Sequence, residues 1–147
     1  MEKRINIIET LPQVTKALYT LSGVIENSAL TKTHKELLKI RASQINGCAF
    51  CIDMHTKDAL KYGETQQRIF LLNAWRETSL FTSEEKAVLA IAEEVTLIST
   101  HGLTEATYAL AKSFFTDEYI ALLVAATVTI NAWNRLAISS QLEPAGV

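Results

Sequence analysis

Residues 35–59 read KELLKIRASQINGCAFCIDMHTKDA, two runs of helical character separated by Asn46-Gly47. In the first run Leu37, Leu38, Ile40 and Ile45 recur at helical spacing. Asn-Gly then makes a fitting stop, because glycine takes the left-handed conformation that closes a helix. The second run starts at the CAFC segment and reaches Tyr62, ahead of Gly63, another residue tolerant of the left-handed cap. Neither run alternates apolar and polar residues as a half-buried strand would. The stretch therefore predicts two helices with a short break between them, and both cysteines of the chain fall in the first turn or two of the second.

Helical periodicity continues on either side. Pro12 suits a first helical turn, and Val14, Leu18, Leu21 and Ile25 share one side, predicting a helix over about 12–26. Thr31 or Thr33 can cap the helix that carries Leu37. Downstream, helices are expected from Thr65 to Trp75, from the Thr82/Glu85 capping box through Leu97, from Thr104 to about Phe115, and from Asp117 to about Ile138. His101-Gly102 closes the helix that begins at the Thr82/Glu85 box, and the tail 140–147 is expected to fray. The fold class is all-α, a multihelical bundle of about six to seven helices in one domain spanning 1–147.

Composition narrows the function. A chain of 147 residues, 48% hydrophobic and 20% charged, is a single globular domain rather than a disordered segment. Its net charge of −2 and the lack of Lys/Arg clusters among aromatics argue against nucleic acid. The apolar stretch Ile120–Trp133 is shorter than the ~20 residues that cross a bilayer and is bounded by Asp117, Glu118 and Arg135, so it reads as a buried helix, with no membrane partner. The N-terminus has no apolar run of signal-peptide length. A cytoplasmic protein is expected, where thiols are normally reduced.

On a helix, positions 48, 51 and 55 lie within an arc of roughly 60°. Two sulfurs and an imidazole can then meet at one site. A helix N-terminus favours thiolate over thiol, His55 one turn beyond Cys51 can take its proton, and Cys48 is near enough to close a disulfide once Cys51 is oxidised. Three other readings compete. The cysteines can be small buried hydrophobes. With Glu36, His34 or His101 as a fourth ligand, Cys48, Cys51 and His55 can hold zinc, although the usual second half-site is absent. A thioredoxin-type CxxC needs a preceding strand that the chain does not show.

Residues 35–59, together with NAWRETSLFTSEEKAVLAIAEE (73–94) and INAWNRLAIS (130–139), closely resemble the AhpD-like alkylhydroperoxidases of the carboxymuconolactone decarboxylase superfamily, in its single-domain form. The most specific element is Glu36, eleven residues, CxxC, three residues, His55. The resemblance implies an all-α enzyme without cofactor or metal. It also implies assembly into trimers or hexamers and reduction of organic hydroperoxides by the dithiol, with electrons from a lipoyl-bearing or thioredoxin-like donor. By position, Cys51 resembles the peroxidatic cysteine, Cys48 the resolving one, and His55 and Glu36 a proton relay. The relay of the best-known type has a further histidine immediately before the second cysteine, and here that place is Phe50, which carries no proton. The decarboxylase branch lacks the cysteine pair, so a decarboxylase or lactone-type activity is the lesser alternative, beside a redox- or zinc-responsive interaction protein.

Several residues have structural readings of their own. Thr33 and Glu36 have capping-box spacing, which alone favours a capping role for Glu36. His34 and His101 lie by helix ends, where histidine is usually solvated or capping. Asn131, Asn134 and Arg135 sit in an apolar helix and need partners, predicting a buried hydrogen-bond network or a subunit contact. Arg41 is expected in a salt bridge or in packing. Because several helices are apolar on more than one face, a homo-oligomer is expected.

Overall fold

A computed structural model describes residues 4–146, and among these the chain is helical with no strand. The helices are α1 (Ile7–Thr10), α2 (Pro12–Glu26), α3 (Lys32–Asn46), α4 (Ala49–Lys61), α5 (Gln66–Phe70), α6 (Ser83–Thr96), α7 (Ile98–His101), α8 (Glu105–Lys112) and α9 (Asp117–Ser139), with a 3₁₀ segment over Leu72–Glu77. Helices α3, α6 and α9 form the centre and pack on one another, while α4 lies along α3 and α2 along α9. Both α3 and α6 are buried on two sides. Leu38, Ala42, Val88 and Ile91 join Leu123, Ala126 and Ile130 of α9 in one half of the core. Leu37, Ile40 and Leu89 join Leu72, Trp75 and Phe81 in the other.

Local signals set most boundaries. Thr31, Thr65, Thr104 and Thr116 each accept a hydrogen bond from the backbone N–H three residues on, and Thr82 and Glu85 form the expected reciprocal capping box. Thr31 and not Thr33 caps α3, so Glu36 stands in the helix body with its carboxylate free for other partners. The expected helix 65–75 is broken instead. Ile69, Leu72 and Trp75 recur every three residues and are all buried, a spacing that suits three residues per turn better than 3.6, and Ala74 leaves helical geometry altogether. Helix α8 stops at Lys112, three residues before Phe115, whose ring stacks on Tyr119.

The ends of the chain meet. Helix α1, too short to show a period, is capped by Asn6, and its first N–H is donated to Ser140 Oγ at 3.0 Å. Ser140 is thereby buried and Leu142 packs on the core, so the tail expected to fray from 140 is held as far as Leu142. Helix α9 is 23 residues long and, by length and composition, apolar enough to cross a membrane. Its place is nevertheless the centre of the bundle, with Leu123, Ala126, Thr127, Ile130 and Asn134 buried against other helices.

Glu93, on α6, ties the 3₁₀ segment to α3. It accepts from Arg41 Nε at 2.8 Å and Trp75 Nε1 at 2.8 Å, and pairs with Arg76. This is the salt bridge anticipated for Arg41. Burial opposes its charge, but hydrogen bonds from Trp75, Arg76 and Arg41 outweigh that and hold its pKa below 4.5. A depressed carboxylate contributes stability above its unfolded pKa, and that stability is lost as the pH falls through the folded value. Glu93→Gln should therefore cost about 1.5–3 kcal/mol in urea unfolding at pH 7. Its difference from the unaltered protein should shrink as the pH is lowered below 4.5. An equal cost at pH 7 and pH 3 would show that charge is not what Glu93 contributes.

Candidate active site

The corner between α3 and α4 places the cysteines. Gly47, at φ 71°, closes α3 in the left-handed conformation. Its N–H goes to Gln44 O at 3.3 Å, and the N–H of Cys48 to Ser43 O at 3.0 Å, the paired bonds of a Schellman motif. Cys48 is then the N-cap of α4 rather than part of its first turn, and its Sγ accepts from the Cys51 N–H at 3.3 Å. The two sulfurs are bonded as a disulfide with a Cα–Cα distance of 5.3 Å, both residues being almost fully buried. Cys51 lies in the first turn of a 13-residue helix, where unsatisfied N–H groups favour negative charge on sulfur.

One turn on, His55 Nδ1 lies 3.0 Å from Glu36 Oε2. Glu36 is 4% exposed, and its other oxygen receives Lys39 Nζ at 3.0 Å. An ionised carboxylate only accepts, so Nδ1 carries the proton in this pair and Nε2 is left as the basic nitrogen. Cys51, His55, Glu36 and Lys39 all line one cavity of about 310 Å³. Its remaining walls are largely apolar and include Tyr19, Ile25, Phe50, Met54, Ile130 and Trp133. Cys48 does not line it; it lines a second cavity, with Arg4 and the segment Ser140–Glu143. Phe50 borders both.

The structure thus brings Cys51, His55 and Glu36 to one cavity, with Cys48 bonded to Cys51 from outside it, and overturns the capping role for Glu36, because Thr31 supplies the cap. Lys39 and Glu26 were not anticipated. Only the fold joins these two residues, from α3 and the end of α2. Glu26 accepts from Lys39 at 2.8 Å and from Lys35 at 3.0 Å. His34, expected to be solvated, is buried, with Nδ1 2.7 Å from Tyr119 Oη and its ring edge-on to Phe115; burial lowers its pKa below 6.5. His101 is exposed at the end of α7.

Ligand atoms of Glu36, His55 and Asp58 lie within 4.8 Å of one another, a spacing that suits a metal ion. Lys39, however, already places a cation on Glu36, and a second positive charge there would be repelled. Of the zinc set expected from sequence, Cys48 borders a different cavity from Cys51, His55 and Glu36, and His34 is engaged by Tyr119.

An all-helical bundle with a CxxC pair at the head of a helix defines an AhpD-like protein, and comparison with known proteins agrees. The chain belongs to the carboxymuconolactone decarboxylase family, which its residues 12–94 match. YdfG of Bacillus subtilis (strain 168), itself uncharacterised, is 41% identical over 139 residues, covering 95% of each chain. The crystal structure of ATU0492 from Agrobacterium tumefaciens, a protein of unknown function provisionally ascribed to AhpD antioxidant defence, matches with a TM-score of 0.93 at 36% identity over 97% of this chain and 98% of that one. The AhpD core of a peroxidase-related protein from Ralstonia eutropha JMP134 (TM-score 0.82, 22% identity, 96% and 77% covered) shares the fold. So does the debrominase Bmp8 (0.84, 15%, 95% and 75%).

The corner is anchored from α9 by the network foreseen for the apolar helix. Asn46 Nδ2 donates to Asn131 Oδ1 at 3.0 Å and to Asn134 Oδ1 at 2.9 Å, and Asn134 Nδ2 donates to Ser43 Oγ at 3.0 Å. Asn134→Ala would strand the Ser43 hydroxyl in the core, at a cost of about 1–3 kcal/mol. Arg135→Ala, which removes only exposed hydrogen bonding to Asn131 at the edge of the network, should cost less, at most about 1 kcal/mol. Equal losses in urea unfolding would mean that the network does not brace the corner.

Proposed function

We propose that the protein is a thiol-dependent peroxidase that reduces organic hydroperoxides through Cys51 and Cys48. The observation that carries this reading is the shared cavity: the sulfur-bearing Cys51 at a helix N-terminus, beside a histidine whose orientation a buried carboxylate fixes. In the reduced protein the Cys51 thiol gives its proton to His55 Nε2. The thiolate attacks one peroxide oxygen, the O–O bond breaks, and the alkoxide leaves as an alcohol with the proton from His55. Cys51 is now a sulfenic acid. The Cys48 thiol attacks the Cys51 sulfur, and its proton leaves with the displaced hydroxyl as water, forming the disulfide. Two electrons from an external dithiol, lipoyl-bearing or thioredoxin-like, return both thiols.

Relatives support an oxidant-defence role, since ATU0492 is tied to AhpD antioxidant defence and the Ralstonia protein to peroxidases. A cavity with apolar walls suits the organic part of a hydroperoxide better than hydrogen peroxide. With phenylalanine at position 50, His55 is the single imidazole of the relay. A reducing, cytoplasmic setting fits a pair that must be cycled. Tyr19, Val24, Phe70 and Val128 are exposed apolar side chains, which supports the homo-oligomer, a trimer or hexamer, that the resemblance implies.

Thiol titration tests the reading. A slight excess of cumene hydroperoxide should remove both thiols of the reduced protein together, and dihydrolipoamide should restore both. Cys51→Ser should lower peroxide consumption at least about a hundredfold, the scale of losing the nucleophile. Cys48→Ser should still consume one equivalent and stop at a trappable sulfenic acid. Unchanged peroxide consumption by Cys51→Ser would refute the proposal.

A further inference from the structure

Lys39 stands on the cavity wall with its side chain 14% exposed, yet the thiol chemistry above gives it no step. Its ammonium bridges two carboxylates, 3.0 Å from Glu36 Oε1 and 2.8 Å from Glu26 Oε1. Glu26 is the last residue of α2, where the backbone carbonyls make a negative charge unfavourable. Two lysines hold it there: Lys35 bonds both its other oxygen and its backbone carbonyl, at 3.0 and 2.7 Å. The result is an unbroken line of partners, Lys35–Glu26–Lys39–Glu36–His55, running from the end of α2 to the base beside Cys51.

A carboxylate facing a histidine alone draws it toward the imidazolium, which cannot accept a proton from a thiol. A cation shared with that carboxylate weakens the pull. We propose that Lys39 is a positioning residue: sharing its ammonium between Glu26 and Glu36, it keeps the Glu36 carboxylate ionised and aimed at His55 while leaving His55 neutral and able to take the Cys51 proton. The inference rests on the peroxidase reading for its purpose, but the electrostatics can be measured without peroxide. Burial works against the charge on Lys39, and the two carboxylates outweigh it, raising its pKa above 10.5. Burial also opposes the charge on Glu26, and Lys39 and Lys35 outweigh that, lowering its pKa below 4.5.

The sign of each substitution follows. The charged or titratable groups sharing the cavity with His55 are Glu36 and Lys39 from α3, Glu26 and Tyr19 from α2, Asp58 and, in the reduced protein, Cys51 from α4, and Tyr62 just beyond the end of α4. Helix α9 contributes none to that wall. Lys39→Met removes the competing cation, so Glu36 stabilises the imidazolium and His55 should titrate at higher pH. Glu26→Gln removes the competing carboxylate, so Lys39 rests wholly on Glu36 and His55 should titrate at lower pH. Asp58 and the tyrosines are untouched in both.

The test is an NMR titration of the His55 imidazole in the reduced protein, assigned with His55→Gln. Lys39→Met should raise the midpoint and Glu26→Gln should lower it, each by about half a pH unit, a roughly threefold change in proton affinity. Lys39→Arg should return the midpoint to that of the unaltered protein. Shifts in the same direction, or no shift, would leave Lys39 a packing residue and overturn the proposal. Should Lys39→Met fail to fold, the downward shift in Glu26→Gln decides alone. If the midpoints move as expected while peroxide leaves the thiols intact, the peroxidase reading fails and the electrostatic one stands.

Discussion

The left-handed turn at Gly47 is the constraint on which the site depends. In six residues the chain must end α3, reverse and begin α4, and every backbone group in the turn needs a partner. Cys48 meets both demands: its N–H closes α3 on Ser43 O, and its sulfur receives the N–H of Cys51 to open α4. A side chain at position 47 would have to adopt φ 71°, which glycine does at no steric cost. Because the corner is tight, α4 runs back along α3, and His55 comes to lie against Glu36 although 18 residues separate them in sequence. Asn46, bonded to two asparagines of α9, fixes the same corner to the bundle centre.

The second constraint is the charge carried by α3. This helix is polar on average, yet it is central and buries Lys35 and Glu36 along with Leu37 and Leu38. Buried charges persist only when paired and hydrogen-bonded. Here the partners arrive from two sides, Glu26 from α2 and His55 from α4, and no buried side-chain nitrogen or oxygen among the described residues lacks a partner. The apolar residues of α3 set the packing of α6 and α9, and its charged residues set the relation of α2 to α4. A helix chosen for hydrophobicity alone would satisfy the first demand and leave His55 without its carboxylate partner.

Much of this was legible in the residues. Threonine caps, the Thr82/Glu85 box and the Asn-Gly stop are local signals, and local hydrogen bonds honour them in the fold. The CxxC pair and His55 share a short helical segment, so their convergence follows from helical spacing. What could not be read depends on distant packing. Glu36 pairs with His55 and Lys39 instead of capping, because Thr31 takes the cap two residues earlier. His34 is buried because Tyr119, 85 residues on, reaches its Nδ1. The break within 65–77 arises where three core contacts fall every third residue, and α1 forms because Ser140 of the far terminus receives its first N–H.

The same corner sets the geometry of the cysteine pair. A Cα–Cα distance of 5.3 Å lies within the range a disulfide needs, and it is set by the Schellman turn and the first turn of α4, held by backbone hydrogen bonds and by the Cys51 N–H on Cys48 Sγ. Reduction therefore frees two sulfurs already in bonding position. Cys51, on the helix, faces the charge line through His55, whereas Cys48, at the cap, borders the other cavity. The asymmetry between the two cysteines is thus built into the backbone: one belongs to a helix whose N-terminus favours its thiolate, the other to the turn that precedes it.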